Sequence, residues 1–356
     1  MRTKPPPPPP EPPFDAILLV SFGGPEGPDD VMPFLENVSR GKPVPRERLL
    51  AVAEHYHHFG GKSPINDHCR ELIAALRVEL TAHGVDLPIY WGNRNWHPLL
   101  PDTLREMQRD GVQRAVAVFT SAFSSYSGCR QYQENIAAAQ AEVGQGAPRV
   151  DKVRPFFHHP GFLQAVTERT RDALATLPEA QRAQAHFLFT AHSIPNAMAA
   201  TCAYEAQLAE ASRIVADAVG AASHELVYQS RSGPPQVPWL EPDVTDHLAT
   251  VAARGVSAVV VVPIGFLSDH VEVLWDLDEE AREKALSLGL TFARAGTVGS
   301  HPAFVAALRE LVQERLIEST EARVTPRFVG VGPALPSTCP PGCCAYNPQR
   351  PMARPS

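Results

Sequence analysis

Strand-length apolar runs alternate with amphipathic runs along most of the chain, and this alternation restricts the fold more than any other feature. Apolar runs fall at 16–20, 89–91, 115–119, 152–156, 186–190, 225–228, 258–263 and 291–294. Runs with a helical period lie between most of them, at 69–83, 161–177, 205–219, 244–254, 271–288 and 303–317. Strand and helix in turn predict an α/β fold with parallel sheets. Parallel strands covered on both faces read as unbroken apolar stretches, as Val259-Val260-Val261-Val262 does. The eight strands divide near residue 158. The expected architecture is two Rossmann-like, doubly wound domains, 14–157 and 158–319, with a ligand cleft between them and the last helix available to pack on the first domain. A length of 356 residues suits two such domains. In these folds ligands sit at the carboxyl ends of strands, so the residues just after each strand carry the most information.

The chain ends read differently. Pro5 to Pro10, with Pro12 and Pro13, make a polyproline segment, so 1–13 is expected to be an extended tail outside the core. Residues 320–356 are rich in proline and cysteine and have no helical period. No run approaches the roughly 20 apolar residues of a membrane span, and Met-Arg-Thr-Lys followed by prolines does not read as a secretory leader. A reducing, cytoplasmic setting is therefore expected. Nothing indicates peripheral membrane contact or specifies an oligomer. With 32 Lys+Arg against 39 Asp+Glu the net charge is −7, which disfavours nucleic acid as a partner.

Several common chemistries lack their motif. The turn after the first strand is Gly23-Gly24-Pro25 rather than G-x-G-x-x-G, and its proline removes an N–H that a phosphate would use. Gly60-Gly61-Lys62-Ser63 resembles the end of a P-loop, but Tyr56 stands where the first glycine would fall. There is no G-x-S-x-G elbow and no H-E-x-x-H. No nucleotide is expected as partner or cofactor.

Four constellations remain. His192, in Phe189-Thr190-Ala191-His192-Ser193-Ile194-Pro195, follows an apolar strand directly, which puts an imidazole on the ligand-facing rim of a sheet; the plain alternative is a histidine capping a strand end. Asp269, Glu272, Asp276 and either Glu279 or Glu280 recur every three or four residues after the most apolar strand. Like charges at that spacing repel. A helix dipole accounts for the first two but not for a row two turns longer. Such a row can pass protons or hold a dication, and carboxylate with imidazole suits ferrous iron among other metals. Cys339, Cys343 and Cys344 lie within six residues of coil and point to metal ligation. A tetrahedral zinc or an iron–sulfur cluster needs a fourth thiolate. Cys129 in a Ser/Gly-rich turn is one source; Cys69 and Cys202, in helical patterns, read as buried thiols. Finally, Phe22, Tyr56, Phe59, Phe266 and Trp275 are core or cleft aromatics, while Trp239 lies in a proline-rich loop and is assigned to a cleft.

These residues resemble the ferrochelatases, which insert ferrous iron into a porphyrin. The resemblance covers nearly the whole chain in five blocks: Leu18-Leu19-Val20-Ser21-Phe22-Gly23-Gly24-Pro25, Phe59-Gly60-Gly61-Lys62-Ser63-Pro64-Ile65, Thr190-Ala191-His192-Ser193-Ile194-Pro195, the stretch from Gln229 to Leu240, and the stretch from Asp269 to Asp276. It implies a chelatase-like fold with the porphyrin between the domains. It implies His192 and Glu272 at the iron, with Asp276 and Glu280 as further carboxylates on a helix wound partly as a π-helix. Ser63 and Tyr132 are implied as porphyrin contacts of the coproporphyrin type. Phe22, Tyr56 and Trp239 serve as apolar walls, with the hydroxyls of Ser63 and Tyr132 at the rim. Cys129, Cys339, Cys343 and Cys344 are implied as ligands of a 2Fe-2S cluster. Phe22 stands where some members place a tyrosine, so it supplies no axial ligand. Coproporphyrin III is favoured over protoporphyrin IX. The competing readings are a cobalt or nickel chelatase and an iron–sulfur redox or storage protein.

Overall fold

The computed structural model describes residues 12–41, 44–320 and 322–346. Residues 1–11 of the expected proline tail lie outside it.

Two four-stranded parallel sheets carry the fold. The first contains β1 (Ala16–Ser21), β2 (Ile89–Asn93), β3 (Arg114–Phe119) and β4 (Arg149–Lys152) in the order β2-β1-β3-β4. The second contains β5 (His186–His192), β6 (Ser223–Gln229), β7 (Ala258–Val262) and β8 (Thr291–Arg294) in the order β6-β5-β7-β8. The two orders are the same. In each, the chain winds outward in one direction from the first strand and in the other from the third. The carboxyl ends of β1 and β3, and of β5 and β7, are therefore the switch points where crevices open. Phe22 follows β1 at one, and His192 ends β5 at the other. The central strands β1, β3 and β7 are buried at every position, as their apolar runs require.

Helices flank both sheets. Those at Ile65–Ala82, Pro160–Thr176, Tyr204–Val219, Val244–Ala253 and Pro302–Glu318 fall where the period places them. The last crosses over: it packs on the helix Pro160–Thr176 and also on Ile65–Ala82 and β3 of the first half. Arg154, 4% exposed, fixes that crossing by donating to both carboxylate oxygens of Glu314 at 2.8 and 3.1 Å.

Three local expectations are corrected. The fourth strand is Arg149–Lys152 rather than 152–156: after Val153 N–H donates to Ala117 at 2.9 Å, Pro155 cannot continue the ladder. Residues 153, 156 and 157 are apolar because they are buried coil. Cys202 lies in a half-buried turn between two helices, its thiol near the carbonyls of Met198 and Ala199. The helices Val31–Val38, Arg46–His58, Leu100–Arg109 and Gln131–Val143 add to those read from the period.

Candidate active site

The segment after β7 begins as one α-turn, Val271–Val273, widens to a π-helix over Leu274–Ala281 and closes as Arg282–Ser287. The wider turn lets residues four apart stay on one side, so Glu272, Asp276 and Glu280 form a row. Asp269 does not join it. Arg294 on β8 takes Asp269 at 3.0 Å and Asp278 at 2.7 Å, which turns both carboxylates to the sheet; Asp269 anchors the helix instead of extending the acidic face.

His192 faces the start of this row, with Nε2 at 3.8 Å from Glu272 Oε2. Its Nδ1 makes a short contact to the carbonyl of Ser193. A carbonyl only accepts, so Nδ1 carries a proton, and in the neutral ring Nε2 then presents a lone pair. Two acceptors opposed across 3.8 Å are complementary to a cation or a proton held between them. The arrangement is also that of metal-ligating histidines, whose other nitrogen is tied to a backbone carbonyl. Gly265 supports the spot, since a Cβ there would lie 2.7 Å from the Cα of Ala191.

Asp276 lies deeper. Burial, with the charges of Glu272 and Glu280 behind it, pushes its carboxyl up to about 7, against contacts from Ser230 and Gln229. Gln229 Nε2 donates at 3.2 Å, and Ser230 Oγ donates to the same oxygen. Ser230 holds a positive φ of 61°, a conformation that serine adopts at a cost and that clusters at functional sites. Glu280 accepts from Trp275 Nε1 at 2.9 Å.

The first sheet supplies the facing wall. The helix Arg46–His58 stands against the π-helix: His55 stacks on Trp275 with centroids 3.9 Å apart, and His58 lies 3.3 Å from Glu279. Tyr56 is buried against Phe34 in a small cluster that includes Val271 from the second half. Phe22 is 37% exposed and packs edge-on to Phe34. Ser63 and Tyr132 are 2% and 4% exposed, so neither stands open at a rim. Ser63 is packed against Gly24, where a Cβ would come within 2.7 Å of it, and Tyr132 is sandwiched between Phe119 and the guanidinium of Arg94. Trp239 pairs with Pro195 by a backbone bridge, and its indole packs on Gly233, where a Cβ would sit 2.3 Å from Nε1.

Gln229 and Ser230 open the 229–240 block, but nothing in that block ties them to the acidic row, and Arg94 lies outside all five blocks. Arg94 lies 4.4 Å from the ring centre of Tyr132 and 5.7 Å from that of Phe22, joining the two aromatics, while its Nε donates to Asn135 at 2.7 Å. It directly follows the carboxyl end of β2, where the positional rule for doubly wound sheets would have found it.

The cysteines form a separate group. Cys129 sits in a π-turn, Tyr126–Arg130, whose start is capped by Ser125 Oγ accepting from Gly128 N–H at 2.8 Å. Gln133 Nε2 lies 3.7 Å from Cys129 Sγ and 3.8 Å from Cys339 Sγ. Cys343 and Cys344 sulfurs are 3.6 Å apart, and Arg130 donates to the Cys343 carbonyl at 3.1 Å. Contact with Cys129 pulls the Cys339 thiol down to about 5, while burial pushes Cys344 up to about 12. Cys69 is buried and distant from this set in the core of the first half. Among the described residues no group of three or more His, Cys, Asp or Glu is arranged around a single metal-ion position, and no helix is long and apolar enough to cross a membrane.

Solved structures with this architecture include two chelatases. SirB from Bacillus subtilis with Fe3+ aligns with a TM-score of 0.54 at 12% identity, covering 86% of this chain and 98% of that one. The sirohydrochlorin chelatase SirB from Bacillus subtilis subspecies spizizenii, in complex with cobalt, aligns at 0.50 with 13% identity, over 86% and 97%. The fold is thus the two-sheet fold of the chelatases. Sequence narrows the class: the ferrochelatase family model matches residues 14–316, and the chain belongs to that family. A ferrochelatase of Rhodopirellula baltica is 58% identical over 341 residues, 96% of each chain. Coproporphyrin III ferrochelatases of Nocardia farcinica and Streptomyces coelicolor are 53% and 52% identical, covering 94% and 96% of this chain and 97% and 96% of theirs. The chain is therefore a metal chelatase of the lyase class, with a porphyrin and ferrous iron as its substrates.

Proposed function

We propose that this enzyme inserts ferrous iron into coproporphyrin III, with His192 and Glu272 at the metal, and that the opposed acceptors of these two residues are the observation that carries the assignment. A free porphyrin must lose two pyrrole protons as the metal enters. His192, bare at Nε2, accepts a proton or a metal there. Asp276, with a carboxyl near neutrality, exchanges protons at working pH. Glu280 continues the row outward. Phe22, Tyr56 and Trp239 are assigned as apolar walls for the macrocycle, and the Arg94 cation over Tyr132 as a partner for an ionised propionate, with Ser63 buried beside Gly24. The preference for coproporphyrin III is supported by the names of relatives more than 50% identical.

The Cys129, Cys339, Cys343 and Cys344 set fits a 2Fe-2S cluster. A binuclear cluster takes two thiolates at each of two irons, and the thiols come as two pairs linked through Cys339 and Cys343. Lys152 favours the thiolate of Cys339, while contact with Cys339 and burial hold the Cys129 thiol up. Such a cluster supplies structural fixing of the tail, since insertion transfers no electrons. Six unpaired cysteines agree with a cytoplasmic, reducing setting.

Iron insertion into coproporphyrin III and protoporphyrin IX, followed anaerobically side by side, tests the substrate; faster conversion of protoporphyrin would reverse it. His192→Ala is expected to lose insertion at least a thousandfold while porphyrin fluorescence is still quenched on binding. Near-normal turnover of that variant would remove His192 from the metal.

A further inference from the structure

We infer that Asn66 and Asn93 are positioning residues for the porphyrin: this pair of buried amides fixes the turn that carries Phe22 against the loop that carries Arg94. The inference rests on the reading of Phe22 as an apolar wall and of Arg94 as a propionate partner. Asn93 closes β2, and Asn66 lies in the first turn of the helix Ile65–Ala82. Both are 0% exposed, so neither touches the substrate itself.

The two amides are joined and engaged at both ends. Asn93 Nδ2 donates to Asn66 Oδ1 at 3.3 Å and to the carbonyl of His97 at 3.1 Å, while its Oδ1 accepts from Trp91 Nε1 at 2.9 Å. Asn66 Nδ2 donates to the carbonyl of Gly24 at 3.1 Å and to Glu26 Oε1 at 2.7 Å. Turning Asn93 over would set donor against donor at Trp91, and turning Asn66 over would set acceptor against acceptor at Gly24 and Glu26. Buried polar groups without partners are costly. Each amide thus has one orientation, and it is met only when the segments after β1 and β2 are both in place. Those segments are the ligand-facing ones. Arg94 N–H donates to the Ser21 carbonyl and Asn95 N–H to the Phe22 carbonyl, each at 3.0 Å. Gly23, with a φ of 83°, lies so close to Asn93 that a Cβ would come within 2.9 Å of the Asn93 Cβ. Asn93 therefore touches the residue after Phe22 and is itself the residue before Arg94, whose guanidinium stands 5.7 Å from the centre of the Phe22 ring. A leucine fills a similar volume but has no direction, whereas a fully satisfied buried network specifies one arrangement. His192 ends β5 and Glu272 follows β7, so both lie outside this network.

The test compares full-length Asn66→Leu and Asn93→Leu with the wild type, by fluorescence quenching of coproporphyrin III and by anaerobic iron insertion into it. Kd and KM for the porphyrin are expected to rise about tenfold, with kcat and the KM for ferrous iron within about twofold, the signature of lost binding rather than lost chemistry. Because the pair acts through Arg94 and Phe22, Asn93→Leu should weaken binding less in an Arg94→Gln background than in the wild type. Weaker binding in Asn93→Leu with wild-type affinity in Arg94→Gln would remove Arg94 from the porphyrin and leave the pair acting through the Phe22 turn. Wild-type Kd and KM in both amide variants, with only the melting temperature lowered, overturns the inference. So does a fall in kcat with Kd and KM unchanged. Where neither amide variant folds, Trp91→Phe decides, since it removes the donor that orients Asn93 and alters neither amide. Several-fold weaker porphyrin binding is expected there, and wild-type affinity overturns the inference.

Discussion

Replacing Asp276 by Asn tests the proton-exchanging role and the burial that causes it. The carboxyl is raised from 3.8 to about 7, chiefly by burial, so the folded protein binds a proton that the unfolded chain has released throughout that interval. Stability from this group is fully present below about pH 3.8 and declines as pH rises, reaching its minimum above about pH 7. The loss accumulates at roughly 1.4 kcal/mol per pH unit and comes to about 4 kcal/mol across the interval. Asn keeps an acceptor oxygen for Ser230 and Gln229 and never ionises. Asp276→Asn should therefore be more stable than the wild type by about 4 kcal/mol at pH 8 and by less than half of that at pH 5. Denaturant midpoints of both proteins at several pH values between 5 and 8.5 measure the difference. The same variant should lose the limb near pH 7 from the profile of kcat/KM. A stability difference that is flat with pH, or that favours the wild type at pH 8, would refute the reasoning, because burial of a charge would then not be what raises the carboxyl.

Three further outcomes follow from the packing. Gly265→Ala places a Cβ 2.7 Å from the Cα of Ala191, so it should destabilise by about 1–3 kcal/mol and slow iron insertion at least tenfold through displacement of His192, measured by melting and by initial rates. Arg154→Met leaves the Glu314 carboxylate buried without its partner and should cost about 3–5 kcal/mol, read from denaturant midpoints. Cys129→Ser should give protein whose iron and acid-labile sulfide fall to background, with normal porphyrin binding; retention of both would exclude Cys129 as a ligand.

What could be read from sequence followed a physical division. β1, β3 and β7 are buried on both faces, and their unbroken apolar runs announced them. The helix Arg46–His58 has no clear period because its buried side is only Ala53 and Tyr56; it packs on Val31–Val38 and on the segment after β7, and no local period records that second partner more than 200 residues away. The apolar run at 152–156 misplaces the fourth strand because such a run marks burial: Val153 makes a last bond to Ala117, and Phe156 and Phe157 are buried in coil. At the site, the spacing of Glu272, Asp276 and Glu280 was legible as a row, but Asp269 was drawn off by Arg294, a residue on a different strand. Arg94 acts through aromatic rings, which leave no motif, and Ser230 lies in the 229–240 block with no local sign of its backbone angle or of its bond to Asp276.

The last helix, Pro302–Glu318, covers part of Ile65–Ala82, with Arg309 reaching Glu79 at 3.2 Å. Counting from residue 82 to residue 302, the ribosome adds 220 residues between the two partners. At roughly 5–20 residues per second the side of Ile65–Ala82 that meets the last helix waits on the order of 10–45 s for its cover. The first half is therefore completed only once the last helix has been made, and until then nascent chains leave that side of Ile65–Ala82 without its partner.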